Sequence, residues 1–338
     1  MLVLGIETSC DETACAVVEN GTAILSSVVA SSLEEHRPYG GVIPEIACRS
    51  HVEWILPVVD EALQKALVRL NRIDLVAATH GPGLVGALMV GVAVAKTLSL
   101  SQGIPFVGVD HVRAHLYACL MQRHAPNFPF IGLVVSGGHT SLYEVADTDR
   151  FRLIGRTLDD ACGEAFDKVA KILGLGYPGG PAIERRARRG DPRAFSFPAP
   201  LLKNHPFDFS FSGLKTAVLY KVRELEKRQA TSDKQQVNDI CASFQRGVIE
   251  GLLERALDAC RHSGLKELVV GGGVTANRAL RTAFETRFRG EGLSVHFPPK
   301  GLSLDNAAMV AGLGYRLYRK GIRCGLELEC LPLGQGGS

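Results

Sequence analysis

This 338-residue chain is expected to lack a membrane segment: its longest apolar run, residues 84–95, is stopped by Lys96 and is too short to cross a bilayer. No basic leader is expected either. The N-terminus reads Leu2-Val3-Leu4-Gly5-Ile6-Glu7, the pattern of a first strand and not of a signal peptide. Cys-x-x-Cys pairs are absent; the 9 cysteines are scattered from Cys10 to Cys330, and a chain of this length needs no disulfide staples. Reduced thiols in a cytoplasmic protein are the expectation. A large excess of either charge is lacking: 38 basic residues face 35 acidic ones and the net is +3, so any nucleic acid must be met by a local basic patch. The P-loop pattern is absent, which excludes that way of cradling phosphate.

What remains is an ordinary globular composition, 46% hydrophobic and 22% charged, in a chain long enough for two domains with separate cores. Residues 2–6 are continuously apolar, as in a strand buried on both faces. They enter a polar hairpin tip, Glu7-Thr8-Ser9-Cys10-Asp11-Glu12-Thr13, and residues 14–18 return as a second strand. A third strand is predicted over 23–31, a helix over 44–68 and a fourth strand over 75–79. Gly81-Pro82-Gly83 then turns into a helix over 84–98, and a fifth strand over 106–109 follows.

The plan then starts again. Residues 130–135 read as a strand, Ser136-Gly137-Gly138-His139-Thr140 as its polar tip and 141–145 as the returning strand. Residues 267–270 feed Gly271-Gly272-Gly273 and a helix over about 275–287. This is a duplication by pattern rather than by identity. Extra material over 150–238 holds a predicted helix at 160–173, a Gly-Pro loop at 174–181, the basic run Arg185-Arg186-Ala187-Arg188-Arg189 and a helix at 212–228. The longest predicted helix covers 237–262, and a closing helix covers 304–319.

Two hairpin tips and two glycine turns at strand ends suit a nucleotide phosphate, because glycine admits close backbone approach and a following helix adds positive charge. In duplicated order they point to an α/β actin-like ATPase fold with two lobes around a nucleotide cleft. The expected lobes are 1–108 with 301–325, and 109–300, leaving 326–338 as a loose tail.

Between the copies stand His111 and His115, four residues apart and hence on one face of a helix. Taken alone, the pair reads either as a metal grip or as a capped helix start with two half-buried histidines. Asp305, at the start of the closing helix, is either that helix's cap or a third ligand. Two imidazoles and a carboxylate would suit Fe²⁺ or Zn²⁺ with positions left open. His51, Glu53 and Trp54 read as packing and surface residues of a helix.

These residues carry a resemblance. Glu7 to Thr13 as quoted, His111-Val112-Arg113-Ala114-His115, Val134-Val135-Ser136-Gly137-Gly138-His139-Thr140, Tyr177-Pro178-Gly179-Gly180-Pro181, Phe209-Ser210-Phe211-Ser212-Gly213-Leu214-Lys215 and Gly271-Gly272-Gly273-Val274-Thr275-Ala276-Asn277 follow the order of one family. The chain resembles the tRNA N6-adenosine threonylcarbamoyltransferases of the bacterial TsaD type, once described as O-sialoglycoprotein endopeptidases or glycoproteases. The likeness runs over residues 2 to about 321.

The resemblance implies a reaction: the threonylcarbamoyl group of L-threonylcarbamoyl-adenylate passes to N6 of adenine 37 in tRNAs reading ANN codons, and AMP leaves. It implies one divalent metal, Fe²⁺ ahead of Zn²⁺, on His111, His115 and Asp305. Val134, Val135, Ser136, Gly137, Gly138, Asp167, Gly180 and Asn277 would bind the adenylate. Glu184, standing where members often have another residue, would join them. Glu12 is the candidate general base, or else a bystander that tunes charge at the cleft mouth, and His139 is expected to affect activity without being a ligand. Implied partners are tRNA, an inactive paralogous subunit of the TsaB type and a small P-loop ATPase of the TsaE type, without a membrane. Two alternatives are a metallopeptidase, as in the old family name, and a non-catalytic scaffold paralogue. Val112 stands where His-Glu-x-x-His has its base, against the first. A scaffold should lose its metal ligands, whereas this chain keeps three candidates.

Overall fold

The computed structural model describes residues 1–202, 205–227 and 234–332. In chain order the first elements are β1 (Leu2–Glu7), β2 (Glu12–Glu19), β3 (Ala23–Ser31), α1 (Leu33–His36), α2 (Pro44–Ala66), β4 (Leu75–Gly81), α3 (Val85–Gln102), β5 (Phe106–Asp110) and α4 (His111–Ala118). Next come β6 (Phe130–Val135), β7 (Thr140–Asp147), β8 (Arg150–Arg156), α5 (Cys162–Ile172), α6 (Gly179–Ala187), β9 (Leu201–Leu202) and β10 (His205–Phe209). The rest are α7 (Ser212–Lys227), α8 (Lys234–Ser263), β11 (Glu267–Gly271), α9 (Arg278–Gly290), β12 (Ser294–His296) and α10 (Ala307–Arg319).

The chain divides into two compact units: Met1–Pro126 with Ala146–Phe151 and Pro298–Ser338, and Asn127–Val145 with Arg152–Phe297. The first unit therefore reaches past the expected boundary at 108. The physical reason is α4, whose Ala114, Tyr117 and Ala118 share a core with Met309, Val310 and Leu313 of α10.

The first unit's sheet has the order β3-β2-β1-β4-β5, with β1, β2 and β3 antiparallel and β1, β4 and β5 parallel. Strands β1, β2 and β4 are buried on both faces, so their alternate residues feed two cores, whereas the edge strand β3 is largely exposed. Val3, Ala14, Ala16, Leu75 and Val107 face α10 and α4. Leu4, Ile6, Cys15, Val17 and Val76 meet Ile55, Val59, Ala62, Val92 and Ala95 of α2 and α3. A Cβ on Gly5 would lie 2.3 Å from the Ala307 carbonyl, so α10 lies almost on the backbone of β1. That approach carries the start of α10 to the end of β1.

Helix α3 runs past its expected end at 98 to Gln102 and has an 18-residue window with mean hydropathy 1.4, long and apolar enough by those measures to span a membrane. Its buried face, Ala87, Leu88, Gly91, Val92 and Ala95, packs within this unit instead. Residues 326–332, expected to be loose, are docked: Leu331 N donates to the His80 carbonyl at 2.7 Å and Lys96 Nζ to the Leu328 carbonyl at 2.6 Å. Positions 333–338 lie outside the described residues, as does the expected helix end at Arg228.

The second unit's sheet has the order β12-β11-β6-β7-β8, the same topology as the first. β6 pairs antiparallel with β7 and parallel with β11, which pairs parallel with β12. The sequence pattern missed β8, most of whose residues are exposed without regular alternation, and this strand completes the duplication. Inserted material thus begins after Arg156 rather than at 150. The Gly-Pro loop is also shorter than expected, because α6 starts at Gly179. Helices α5, α7, α8 and α9 surround the sheet, with Phe166, Phe209, Phe211, Phe244, Phe284 and Phe288 in one core.

Candidate metal centre and phosphate loops

Strand β5 ends at Asp110, whose carboxylate accepts a hydrogen bond from Arg113 N at 2.8 Å and so caps α4 at its first turn. His111 and His115 follow on one face, both buried, with ring centroids 4.6 Å apart. At α10 the cap is Asn306, which accepts from Met309 N at 3.0 Å, so Asp305 is not the cap. Its Oδ1 lies 3.1 Å from His115 Nε2 and 3.7 Å from His111 Nε2. The three donors fall within 4.8 Å of one another.

Glu7, the last residue of β1, fixes His111. Its Oε2 lies 3.0 Å from His111 Nδ1 and accepts from Thr79 Oγ1 at 2.6 Å, while Oε1 accepts from Ser9 N at 2.5 Å. Ser9 Oγ is 3.1 Å from the same imidazole nitrogen. A carboxylate on one ring nitrogen turns the other toward a cation, as around metal-bound histidines. Burial raises the Glu7 carboxyl, but attraction to His111 outweighs it and the net shift is downward. For His111 burial lowers the value, yet Glu7 and Asp305 raise it to about 9. The place attracts positive charge, whether a proton or a metal ion.

His115 gives the clearest sign of fit. It is fully buried, and among the described residues neither ring nitrogen finds a hydrogen-bond partner; the 3.1 Å approach to Asp305 is not aligned as a hydrogen bond. An imidazole left so costs about 1–3 kcal/mol unless something engages it. A divalent cation on His111, His115 and Asp305 suits this donor set.

Glu12 opens β2, half-buried, and accepts from Ser31 Oγ at 3.3 Å. Burial, followed by the charges of Asp305 and Asp11, pushes its carboxyl up to about 10. It is protonated at neutral pH until positive charge near Asp305 offsets one of those causes. His51, assigned to packing by the sequence pattern, instead reaches the hairpin tip: Nδ1 lies 2.7 Å from Thr13 Oγ1 and Nε2 3.0 Å from the Cys10 carbonyl. A histidine on the buried stripe of α2 was the only available signal.

In the second unit, Val134 and Val135 bury their side chains completely and offer only backbone. Gly137 and Gly138 at the β6–β7 tip have open space where a Cβ would be. Two neighbours shape that tip. Gly163 N donates to the Ser136 carbonyl at 3.0 Å, bringing the start of α5 against it. Gly272 has φ +94°, and a Cβ there would lie 2.4 Å from the Val135 carbonyl, so this turn requires glycine. His139 N donates to Ser136 Oγ at 3.1 Å.

Asp167 accepts from Gly179 N at 2.6 Å, tying α5 to the start of α6 beside Gly180. Glu184 Oε1 accepts from Arg188 Nη2 at 2.9 Å and from Arg278 N at 3.2 Å. Asn277 caps α9 through Leu280 N at 3.0 Å and donates to Gln245 Oε1 at 2.7 Å, so its side chain is largely committed. The predicted helix from 275 begins instead at Arg278, after a single tight turn. Glu184, Gln245, Ile249, Arg278 and Ala283 line a groove of about 1020 Å³.

The model of the family TsaD, tRNA N6-adenosine threonylcarbamoyltransferase, matches residues 23–312. The chain belongs to this family. The tRNA N6-adenosine threonylcarbamoyltransferase of Symbiobacterium thermophilum is 51% identical over 99% of this chain and 98% of its own. That of Syntrophotalea carbinolica is 49% identical over 100% of this chain and 98% of its own. Among solved structures, full-length HypF in its phosphate- and nucleotide-bound form aligns with 98% of this chain and 47% of HypF, with a TM-score of 0.61 at 14% identity. That likeness concerns fold alone. It agrees with two copies of one strand order, the duplicated actin-like ATPase fold, in this member of the threonylcarbamoyltransferase family.

Proposed function

We propose that this chain transfers the threonylcarbamoyl group of L-threonylcarbamoyl-adenylate to N6 of adenine 37 in tRNAs reading ANN codons and releases AMP. The observation that carries the reading is 51% identity, along essentially the whole chain, to an enzyme named for that transfer. The donor is a mixed anhydride of a carbamate and a phosphate, so AMP is already a good leaving group and no covalent enzyme intermediate is needed. The difficulty lies with the acceptor, because the lone pair of the adenine amine is delocalised into the ring. The carbamoyl carbon must be polarised and a proton must be taken up.

His111, His115 and Asp305 would hold a divalent cation, Fe²⁺ ahead of Zn²⁺. Bound there, it supplies Lewis-acid polarisation of the donor and offsets the departing charge. Glu7 orients His111 from behind. Glu12 takes the amine proton once its carboxylate is ionised. Backbone groups of residues 134–138 suit the donor phosphate. Asp167, Gly180 and Glu184 suit its nucleoside, with the groove beside Glu184 as apolar lining.

A peptidase reading is not favoured. Val112 follows the first histidine where a base would be needed, and Arg113 is turned to the Phe151 ring, 5.0 Å from its centroid. Helices α2 and α3 leave Val52, Leu56, Val85 and Met89 exposed, which suits a paralogous TsaB-type subunit. A TsaE-type ATPase completes the proposed cytoplasmic assembly. The exposed Arg185 and Arg189 at the end of α6 suit tRNA phosphates, whereas Arg188 is paired with Glu184. The deciding experiment follows AMP release and labelled-threonyl transfer from the adenylate to tRNA, with and without chelator. Absence of transfer by the assembled proteins would refute the reading.

A further inference from the structure

Glu12 lies at a hairpin tip, and a tip is where a chain is ordinarily least constrained. This one is held from outside by two buried histidines. His51, on α2, is wholly buried and touches both sides of Glu12: the Cys10 carbonyl at 3.0 Å through Nε2, and Thr13 Oγ1 at 2.7 Å through Nδ1. A carbonyl only accepts, so Nε2 carries the proton and Nδ1 accepts from the threonine hydroxyl. Between those two anchors, the Asp11 carbonyl accepts from Ser32 N at 3.0 Å and from Ser32 Oγ at 2.9 Å. With its own proton spent on Asp11, Ser32 Oγ accepts from His36 Nε2 at 3.1 Å, and His36 Nδ1 accepts from Ile43 N at 3.2 Å. Both rings are therefore in the same tautomer, and the backbone or hydroxyl of residues 10, 11 and 13 is tied down around Glu12.

Packing alone does not require this arrangement. An apolar side chain could fill the space of His51, at the cost of the Nε2 donor to the Cys10 carbonyl, and Thr13 could be a valine on a strand buried at that point. The polar pair has one geometric effect, which is to fix the direction in which the tip leaves β1 and enters β2. We infer that His51, clasping Cys10 and Thr13, is a positioning residue that aims the Glu12 carboxyl. This rests on the proposed role of Glu12 as base. A side chain held this way affects the reacting geometry and not donor affinity, and displacement of a reacting group by about 1 Å costs on the order of 10²-fold in rate.

The test uses the full chain in the reconstituted transfer assay, at saturating adenylate and tRNA. Thr13→Val keeps the shape and removes the hydroxyl; His51→Ala removes the ring; Thr13→Ser restores the hydroxyl. Thr13→Val and His51→Ala are expected to lower kcat by about 10- to 100-fold with KM for the adenylate unchanged. Thr13→Ser should recover most of the rate, and the double variant should be no slower than His51→Ala. Glu12→Gln in the same assay separates the two ideas. If Glu12→Gln transfers normally, the base assignment fails. If it is slow while Thr13→Val and His51→Ala keep full kcat, the positioning role is overturned. Losses that multiply in the double variant, or that appear in KM, also overturn it.

Discussion

Replacing His115 by leucine should change stability in opposite directions with and without metal. The site is fully buried and both ring nitrogens lack hydrogen-bond partners among the described residues, so in chelator the native side chain contributes a penalty of about 1–3 kcal/mol. Leucine fills a similar volume with no polar atom. The 3.1 Å approach to Asp305 offsets part of the gain, so His115→Leu should be more stable than the parent by about 1 kcal/mol in chelator. With Zn²⁺, or Fe²⁺ under anaerobic conditions, at 100 times its Kd, the parent should gain about 2.7 kcal/mol and the variant almost nothing. Urea unfolding in EDTA and in metal reads both values. A parent whose midpoint ignores the metal would refute the assignment, as would a variant destabilised equally in both buffers.

Glu12→Gln should slow transfer at saturating adenylate by about 10²–10⁴-fold, and an unchanged single-turnover rate would remove Glu12 as base. In metal-free buffer the same residue should shape stability against pH. Its folded value of about 10 lies above the ordinary 4.5, so its contribution is present below pH 4.5 and is lost as pH rises toward 10. Unfolding at several pH values should show a shallower decline for Glu12→Gln, and parallel curves would contradict the burial argument. Leu56→Glu combined with Met89→Glu should leave the melting temperature within a few degrees and prevent a stable complex with the paralogous subunit; co-elution as before would place that interface elsewhere. Arg185→Glu with Arg189→Glu should raise KM for tRNA and flatten its salt dependence. A change in adenylate affinity alone would show the patch to be misassigned.

Much of the fold was legible because strands buried on both faces are written as continuous apolar runs, here 2–6, 75–79, 106–109, 130–135 and 267–270. The strands that escaped, β8 and the short β9, β10 and β12, are edge or half-exposed elements whose pattern resembles a loop. The docking of residues 326–332 escaped because it rests on a backbone bond to His80, the Lys96 ammonium on the Leu328 carbonyl and the packing of Leu328 and Cys330 on the core, contacts far apart in sequence.

The sequence by itself determined the family, the two histidines one helical turn apart and the doubled order of tips and glycine turns. Those are local properties, set by spacing of a few residues, and motif order survives without coordinates. Tertiary structure decided what local spacing leaves open. It assigned the cap of α10 to Asn306 and so released Asp305 to stand beside His115, about 190 positions away in the chain. It turned Glu7 onto the back of His111, and His51 from a packing residue into the clasp of the Glu12 tip. The place of Asp305 follows the close seating of α10 on β1 at Gly5, the Glu7–His111 contact follows the β1-β4-β5 order of the sheet, and the His51 clasp follows the packing of α2 beside the β1–β2 hairpin. Contacts between elements distant in sequence leave no periodicity to read.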